Sequence, residues 1–220
     1  MRRALLISIP FLVAIPVLYG VGFVLAGQPV MLGAFAVGVV GWIVALILRT
    51  PVGVAAMQVT ASEERAQTWV TASSGPLEEA VRLGALLFAG RDLSTALWLG
   101  LGWGSIEVLY ALVNGFALSA LAQRTDPEAQ RARALLPPSA FTTAGVVWGV
   151  VERAWATAVH IGFTLILAAV PLAIVITAPA HSVLNFGFLW AGRRYPIAAV
   201  SVAGVVVGAA LFVIGLVLMA

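Results

Sequence analysis

Ionisable side chains lie inside segments of this chain that are otherwise apolar enough to span a bilayer. They are four glutamates, two arginines and both histidines: Glu78, Glu79, Arg82, Glu107, Glu152, Arg153, His160 and His181. Charged groups at membrane depth are costly, and they mark substrate pathways, proton relays or other functional sites. Glutamate and histidine are also residue types that perform general acid–base catalysis. We therefore expect these side chains, with Asn185 one turn beyond His181, to form one polar site.

The local spacing in the first half of the chain places some of these side chains on shared helix faces. In LEEAVRLG, Glu78 and Arg82 are four residues apart and can form an ion pair, while Glu79 points about 100° away on an α-helix. Glu107 follows three closely spaced glycines and has no charged neighbour in its own segment. Glu107 therefore needs a partner from another helix.

Two further groups lie in the second half of the chain. Arg153 and His160 are seven residues apart and share a helix face, with Glu152 beside them. His181 and Asn185 are four residues apart and also share a face. Two histidines, an amide and several carboxylates together favour a functional site over isolated structural histidines.

The charges inside the apolar segments do not balance. Four carboxylates against two arginines leave two negative charges if every carboxyl group ionises. Some carboxylates must therefore be protonated, or the histidines must be charged, or a divalent metal must be bound. Each of these solutions predicts a group that exchanges protons near neutral pH.

Several known chemistries are excluded by residue type. The chain has no cysteine and no lysine, which excludes thiolate chemistry, Schiff bases and a Ser/Lys dyad. The only aspartates, Asp92 and Asp126, are expected in loops on opposite sides of a membrane, and neither histidine belongs to an HExxH zinc motif. A dyad of Ser105 and His181 can be drawn, but it leaves the glutamates and Arg153 without a role. The remaining chemistry is glutamate-activated water attacking an amide, with histidine and asparagine as partners.

The elements that position these residues are predicted to be membrane helices. Hydrophobic residues make up 62% of the 220 residues and charged residues 10%, and the mean hydropathy is +1.07. This composition excludes a water-soluble domain. The net charge of +3 comes from scattered arginines, so no nucleic-acid partner is expected. We predict an all-α, polytopic membrane protein whose immediate partner is the lipid bilayer.

Seven apolar runs approach the roughly 20 residues that cross a hydrocarbon core of about 30 Å. The predicted spans are 4–26, 30–48, 77–90, 93–122, 140–168, 172–191 and 196–219, and the third can begin near residue 66. Among the arginines outside these runs, only Arg91 falls on one side, while the others, Arg49 included, fall on the opposite side. This asymmetry predicts a cytoplasmic N-terminus and an external C-terminus. A surface helix ended by Pro137 and Pro138 is predicted before the fifth span.

Four motifs occur in a fixed order between about Pro76 and Gly187. They are EEAVR, the GxGxGxxE stretch that ends at Glu107, ER followed by His160, and HSVLN from His181. In order and spacing they resemble the YhfC-type intramembrane endopeptidases, which are distant relatives of the CAAX-prenyl-protease and Abi (CPBP) group of glutamic intramembrane proteases. The resemblance covers half of the chain.

The resemblance implies roles for individual residues. Glu78, with Glu79 as a second candidate, and His160 would activate a water molecule. His181 and Asn185 would stabilise the tetrahedral oxyanion. The residues implied to hold the carboxylates in place are Arg82, Glu107, Glu152 and Arg153.

Two departures from the family patterns bear on the mechanism. Trp103 stands where the YhfC type usually has a histidine, and the CAAX group has one more residue between its glutamates and its arginine. Zinc held by Glu78, His160 and His181 is therefore one option, and a metal-free glutamate mechanism that requires no cofactor is the preferred one.

The sequence thus predicts a multi-pass protein of the bacterial inner membrane that hydrolyses a peptide bond in a membrane-embedded or membrane-proximal peptide or protein, with or without an attached lipid. Two alternatives stay open. One is a proton-coupled transporter in which the buried carboxylates and histidines relay protons. The other is a catalytically inactive immunity or scaffold protein, which Trp103 would explain.

Overall fold

The computed structural model describes residues 2–134 and 142–220, and helices make up nearly all of this part of the chain. The helices are α1 (Arg2–Leu25), α2 (Leu32–Thr60), α3 (Glu63–Ala89), α4 (Leu93–Leu121), α5 (Pro127–Ala134), α6 (Thr143–Ala169), α7 (Ile174–Gly192) and α8 (Ile197–Met219). A single 3-10 turn, Pro171–Ala173, precedes α7. The described residues contain no strand, so the all-α prediction is confirmed.

Six helices are long and apolar enough to cross a membrane, which makes the chain a multi-pass membrane protein. They are α1, α2, α4, α6, α7 and α8. The expected third span is not among them, because α3 carries six charged residues along its length. The helix itself is longer than the predicted run 77–90 and passes through Pro76 without a break.

Two further predictions of boundaries differ from the structure or fall outside it. The second apolar run ends at residue 48, but α2 continues to Thr60 with Pro51 inside it, so Arg49 lies in a helix and not in a loop. The predicted surface helix corresponds to α5. Its predicted end at Pro137 and Pro138 and the predicted start of the fifth span at residue 140 lie outside the described residues.

Short connections join α1 to α2, α2 to α3 and α3 to α4. At the α3–α4 connection, Asp92 caps α4: its Oδ1 accepts from the Thr95 backbone N–H at 3.0 Å and its Oδ2 from the Thr95 hydroxyl at 2.6 Å. These hydrogen bonds from Thr95 lower the pKa of the Asp92 carboxyl group below its usual value. The cap fixes the direction in which α4 enters the bundle.

Glycines allow α4 and α3 to approach their neighbours closely. A Cβ atom at Gly100 would lie 2.7 Å from the Ile161 Cα of α6, and one at Gly104 would lie 2.8 Å from the Thr157 Cγ2. On α3, a Cβ atom at Gly75 would collide with the Ala178 carbonyl oxygen of α7. Because small residues are required at close helix crossings, these positions bring the polar residues one turn away to the same level of the bundle.

Candidate functional site

Glu78 lies between three helices and has a partner on each carboxylate oxygen. Its side chain is 4% exposed. Oε1 forms an ion pair with Arg49 of α2, and Oε2 accepts a hydrogen bond from the Trp103 Nε1–H of α4 at 3.0 Å. Glu78 is therefore ionised in a pocket built by α2, α3 and α4, and Trp103 is a direct partner of this carboxylate.

Glu79 is the carboxylate nearest to Arg82, although the spacing favoured Glu78. Arg82 Nη1 donates to Glu79 Oε1 at 2.8 Å, whereas Arg82 Nη2 is 3.9 Å from Glu78 Oε2. Glu79 and Arg82 are both fully buried. Arg82 contacts His160 of α6 and Glu79 contacts His181 of α7, so Glu79 belongs to the site interior.

Arg82 connects the two halves of the site. Its guanidinium Cζ lies 4.5 Å from the centre of the Trp103 ring, a cation–π distance, and its Nη2 lies 3.0 Å from His160 Nδ1. Arginine keeps its proton in proteins and can only donate. His160 Nδ1 is therefore the acceptor in this contact, which assigns the proton to Nε2.

His160 has both ring nitrogens engaged. Nδ1 accepts from Arg82, and Nε2 contacts Glu107 Oε2 on α4. The imidazole thus joins a buried guanidinium on one side to a carboxylate on the other. It lacks a free nitrogen for the role in water activation that the sequence resemblance implies.

His181 of α7 has one ring nitrogen free of hydrogen bonds. Nδ1 contacts Glu79 Oε1 at 2.6 Å, and the ring stacks on Phe163 with centroids 5.3 Å apart. Nε2 faces Glu78 Oε2 at 3.8 Å, which is too long for a direct hydrogen bond. A proton on Nδ1 alone would direct the Nε2 lone pair of His181 towards Glu78.

We use the name inner cluster for Glu78, Glu79, Arg82 and His181, and the name outer cluster for Glu107, Glu152 and Arg153. In the outer cluster, Arg153 Nη1 donates to Glu107 Oε1 at 2.6 Å and Nη2 contacts Glu152 Oε1. The Glu107 side chain is 22% exposed and that of Glu152 is 47% exposed. The outer cluster thus lies at the edge of the helix packing, with His160 between it and the inner cluster.

Asn185 and Ser105 contact other groups. Asn185 is half-buried on α7, and its Nδ2 donates to Ser74 Oγ at 2.8 Å instead of to a member of the inner cluster. The Ser105 hydroxyl donates to the Leu101 carbonyl oxygen of its own helix at 2.6 Å. The structure therefore does not pair Ser105 with His181, and it places Asn185 at the same α3–α7 interface as His181 without a direct contact.

Arg49 is the residue of this site that the sequence interpretation missed. Its position one residue beyond the apolar run, followed closely by Pro51, favoured a loop, but α2 continues and carries the side chain to Glu78. With Arg49 included, three arginines face four carboxylates in this network, so one negative charge is left and not two. The end of the apolar run was therefore a poor guide to the end of α2, which continues through Pro51 because membrane helices tolerate proline.

The arrangement of Glu78, His160 and His181 does not fit a bound metal. One ligand atom from each lies within 4.8 Å of the others. Zinc ligands at about 2.0–2.1 Å from the metal lie only about 3.3 Å from one another. Both nitrogens of His160 are engaged, and the nearest neighbour of Nδ1 is a guanidinium group that cannot lose its proton. A cation in this position would be repelled by Arg82.

Comparison of the chain with protein-family models, with curated proteins and with solved structures finds no match.

Proposed function

We propose that this protein is an intramembrane endopeptidase in which water between Glu78 and His181 attacks a peptide bond. The observation that carries the proposal is the pair of Glu78 Oε2 and His181 Nε2, which face each other at 3.8 Å inside the bundle. Glu79 fixes the other nitrogen of the same imidazole at 2.6 Å. A carboxylate next to an oriented histidine with a free lone pair is an arrangement that activates water.

In the proposed reaction, water donates one hydrogen bond to His181 Nε2 and loses its other proton to Glu78. The resulting hydroxide forms a bond to the carbonyl carbon of the substrate, and the carbonyl oxygen becomes an oxyanion. When the carbon–nitrogen bond breaks, the leaving nitrogen takes the proton from Glu78. The products are a carboxylic acid and an amine, and the enzyme returns to its starting state.

The geometry supports different roles for the two histidines from those that the resemblance implies. His160 is a positioning residue, because it holds Arg82 through Nδ1 and Glu107 through Nε2. His181 contacts the water. Asn185 is the proposed oxyanion donor, and it serves this role when its amide releases Ser74 Oγ. The mechanism needs no metal, since Arg82 occupies the place beside His160 that a cation would need.

The proposal includes a membrane topology. We propose that α3 is a seventh crossing, that the N-terminus is cytoplasmic, and that the protein resides in the inner membrane of a bacterium. Glu78 lies about 17 Å along α3 from Ala89, given a rise of about 1.5 Å per residue, which is near the middle of a bilayer. Its substrates are peptide bonds at that depth, in chains with or without an attached lipid.

The cysteine-free sequence permits a direct test of this topology. Ser62→Cys marks the α2–α3 connection, and Arg91→Cys marks the α3–α4 connection. An impermeant maleimide should label Arg91→Cys in intact cells and Ser62→Cys only after permeabilisation. Labelling of both positions under the same condition, either in intact cells or only after permeabilisation, would show that α3 does not cross.

Proteolysis by the purified protein tests the activity. The substrates are a mixed library of short transmembrane peptides and prenylated peptides, in detergent or liposomes. We expect Glu78→Gln and His181→Ala each to lower the cleavage rate at least about 100-fold, because each removes a group that handles the proton of water. Cleavage should survive a zinc chelator.

Glu64→Gln is the matched control, because Glu64 is an exposed glutamate on the same helix. It should cleave like the wild type. Cleavage that persists in Glu78→Gln, or a wild-type protein that is folded and cleaves nothing, would contradict the proposal. Loss of cleavage on chelation would contradict the metal-free mechanism alone.

A proton-coupled transporter is the second candidate, and one observation favours it. Contacts run without a break from Glu152, which is 47% exposed, through Arg153, Glu107 and His160 to Arg82. Arg153 lies within this path and Arg82 lies at its end, however, and arginine does not release a proton. A relay along it is therefore less well supported than hydrolysis. An inactive scaffold is the third candidate, and it predicts no cleavage and no proton transport.

A further inference from the structure

Arg49 has donor capacity that the site does not use. It contacts the inner cluster through Nη2 alone, on Glu78 Oε1. Its Nε is buried and has no hydrogen-bond partner within the described part of the chain. A guanidinium group carries five N–H donors in a fixed fork that matches a carboxylate with two parallel hydrogen bonds. The resting contact with Glu78 therefore leaves most of this fork unfilled.

Arg49 is also the partner of Glu78 that a substrate can reach. Its side chain is 17% exposed, whereas those of Glu78, Arg82 and Trp103 are buried. Trp103 is wedged against α2, where a Cβ atom at Gly41 would lie 2.8 Å from its ring. Trp103 thus cannot release Glu78 without a shift of α2. Rotation of the long Arg49 side chain requires no such shift.

The contact between Arg49 and Glu78 restrains the reaction proposed above. With Oε1 on Arg49 and Oε2 on Trp103, both oxygens of Glu78 already accept from cationic or N–H donors. A carboxylate in this state has little capacity to take a proton from water. The Glu78 carboxylate gains this capacity when Arg49 moves to another anion, because the ion pair on Oε1 is then removed.

We propose that Arg49 is a specificity residue that binds a carboxylate group of the substrate, and that its transfer from Glu78 to this carboxylate removes the ion pair that opposes proton uptake by Glu78. This inference rests on the proposed function and adds a substrate class to it: peptides with a carboxylate close to the scissile bond. The carboxylate is either a free C-terminus or an acidic side chain. In both cases it replaces Glu78 as the counter-ion, so the guanidinium group is never left unpaired.

Binding of peptides, measured by isothermal titration in detergent, tests the inference without any need for cleavage. The probes are acetylated tetraleucine as the free acid, its C-terminal amide, and amidated peptides of the same length with one internal Glu or Gln. We expect the wild type to bind the free acid, the Glu peptide or both at least about tenfold more tightly than the uncharged partner, as a charge-assisted hydrogen bond provides. The pair that shows the preference identifies the source of the carboxylate.

Three variants complete the test. Arg49→Gln should lose the preference while it still binds the amide, which shows that it is folded. Glu78→Gln should bind the preferred acid more tightly than the wild type, because it removes the competing carboxylate. Arg65→Gln, which changes an exposed arginine of α3, should behave like the wild type.

Equal binding of acids and amides by the wild type, or a preference that survives Arg49→Gln, would overturn the inference. Cleavage without any acid preference would leave the peptidase in place and remove only the role of Arg49. An acid preference that depends on Arg49, in a protein that cleaves nothing, would instead establish the anion site and contradict the peptidase.

Discussion

The inner and outer clusters each contain two glutamates and one arginine, and the inner cluster also contains His181, but the two clusters differ in exposure. Side chains of the inner cluster are 0–4% exposed, whereas Arg153 is 15%, Glu107 22% and Glu152 47% exposed. Charges without access to water must be matched by fixed partners, while charges at an edge can also be hydrated. Burial therefore decides which of these charged groups must be held in one arrangement, and residue type does not.

The charges follow the same division. In the inner cluster two glutamates face Arg82, and Arg49 supplies a second positive charge, so the two arginines balance the two carboxylates. In the outer cluster two glutamates face Arg153 alone, so one negative charge remains. Glu107 and the half-exposed Glu152 share this charge. The excess charge is therefore placed where water can stabilise it. A neutral His181 is the form that the proposed reaction needs.

Loss of a buried arginine should give the largest effect on stability. We expect Arg82→Ala to lower the free energy of unfolding by about 3–5 kcal/mol, because it leaves Glu79 buried without its counter-ion. Arg153→Ala should cost only about 1–2 kcal/mol, because water can replace the guanidinium group at the edge. Unfolding of the purified variants by SDS titration measures both values.

Two further variants sharpen this comparison. Arg91→Ala changes an exposed arginine of the α3–α4 connection and should leave stability unchanged. The double variant Arg82→Ala with Glu79→Gln should recover part of the loss, because it also removes the unpaired charge. Equal losses for Arg82→Ala and Arg153→Ala would show that exposure does not separate the clusters.

The comparison also explains how far the sequence could predict this site. Charged residues in apolar segments are not hydrated, so the eight predicted ionisable residues were expected to pair with one another. The structure joins them in one network. The all-α class and the apolar helices followed from composition and run length for a similar reason. Individual partners were less predictable, because residue spacing relates positions only within one helix.

Three particular contacts show this limit. The contact of Trp103 with Glu78 joins α4 to α3, and that of Arg49 with Glu78 joins α2 to α3. Neither pair has a spacing rule. Glu79 points inward because α3 is surrounded by α6 and α7 as well as α2, which the pattern of one helix does not reveal.

Substitution of a glycine at a close helix crossing should give the next largest loss of stability. Gly75→Ala places a methyl group against the Ala178 carbonyl oxygen, so α3 and α7 must separate beside the inner cluster. We expect a loss of about 1–3 kcal/mol, as overpacking typically costs. Gly104→Ala, near the outer cluster, should cost less, because its contact is with the Thr157 side chain and not with a carbonyl group.

Gly84→Ala is the matched control on α3, because nothing lies within 4 Å of a Cβ atom there. It should be neutral or stabilising by up to about 1 kcal/mol, since alanine favours helix. The same SDS titration applies. The packing argument fails if Gly75→Ala and Gly84→Ala are equally stable.

The smallest effect is expected at Asp92, an exposed carboxylate distant from both clusters. Asp92→Ala removes the cap of α4 and should cost about 1 kcal/mol at pH 7 without a change in peptide cleavage. Because the hydrogen bonds of Thr95 lower the pKa of Asp92 in the folded state, its contribution is complete above the pKa of the unfolded chain and is lost as pH falls through the folded value. The difference between wild type and Asp92→Ala should therefore shrink towards about pH 3. A difference in stability that grows on acidification would contradict the role of ionised Asp92 as the cap of α4. If Asp92→Ala lowered the free energy of unfolding more than Arg82→Ala does, the loss of an exposed charge would cost more than the loss of a buried one, which is the opposite of what the two clusters predict.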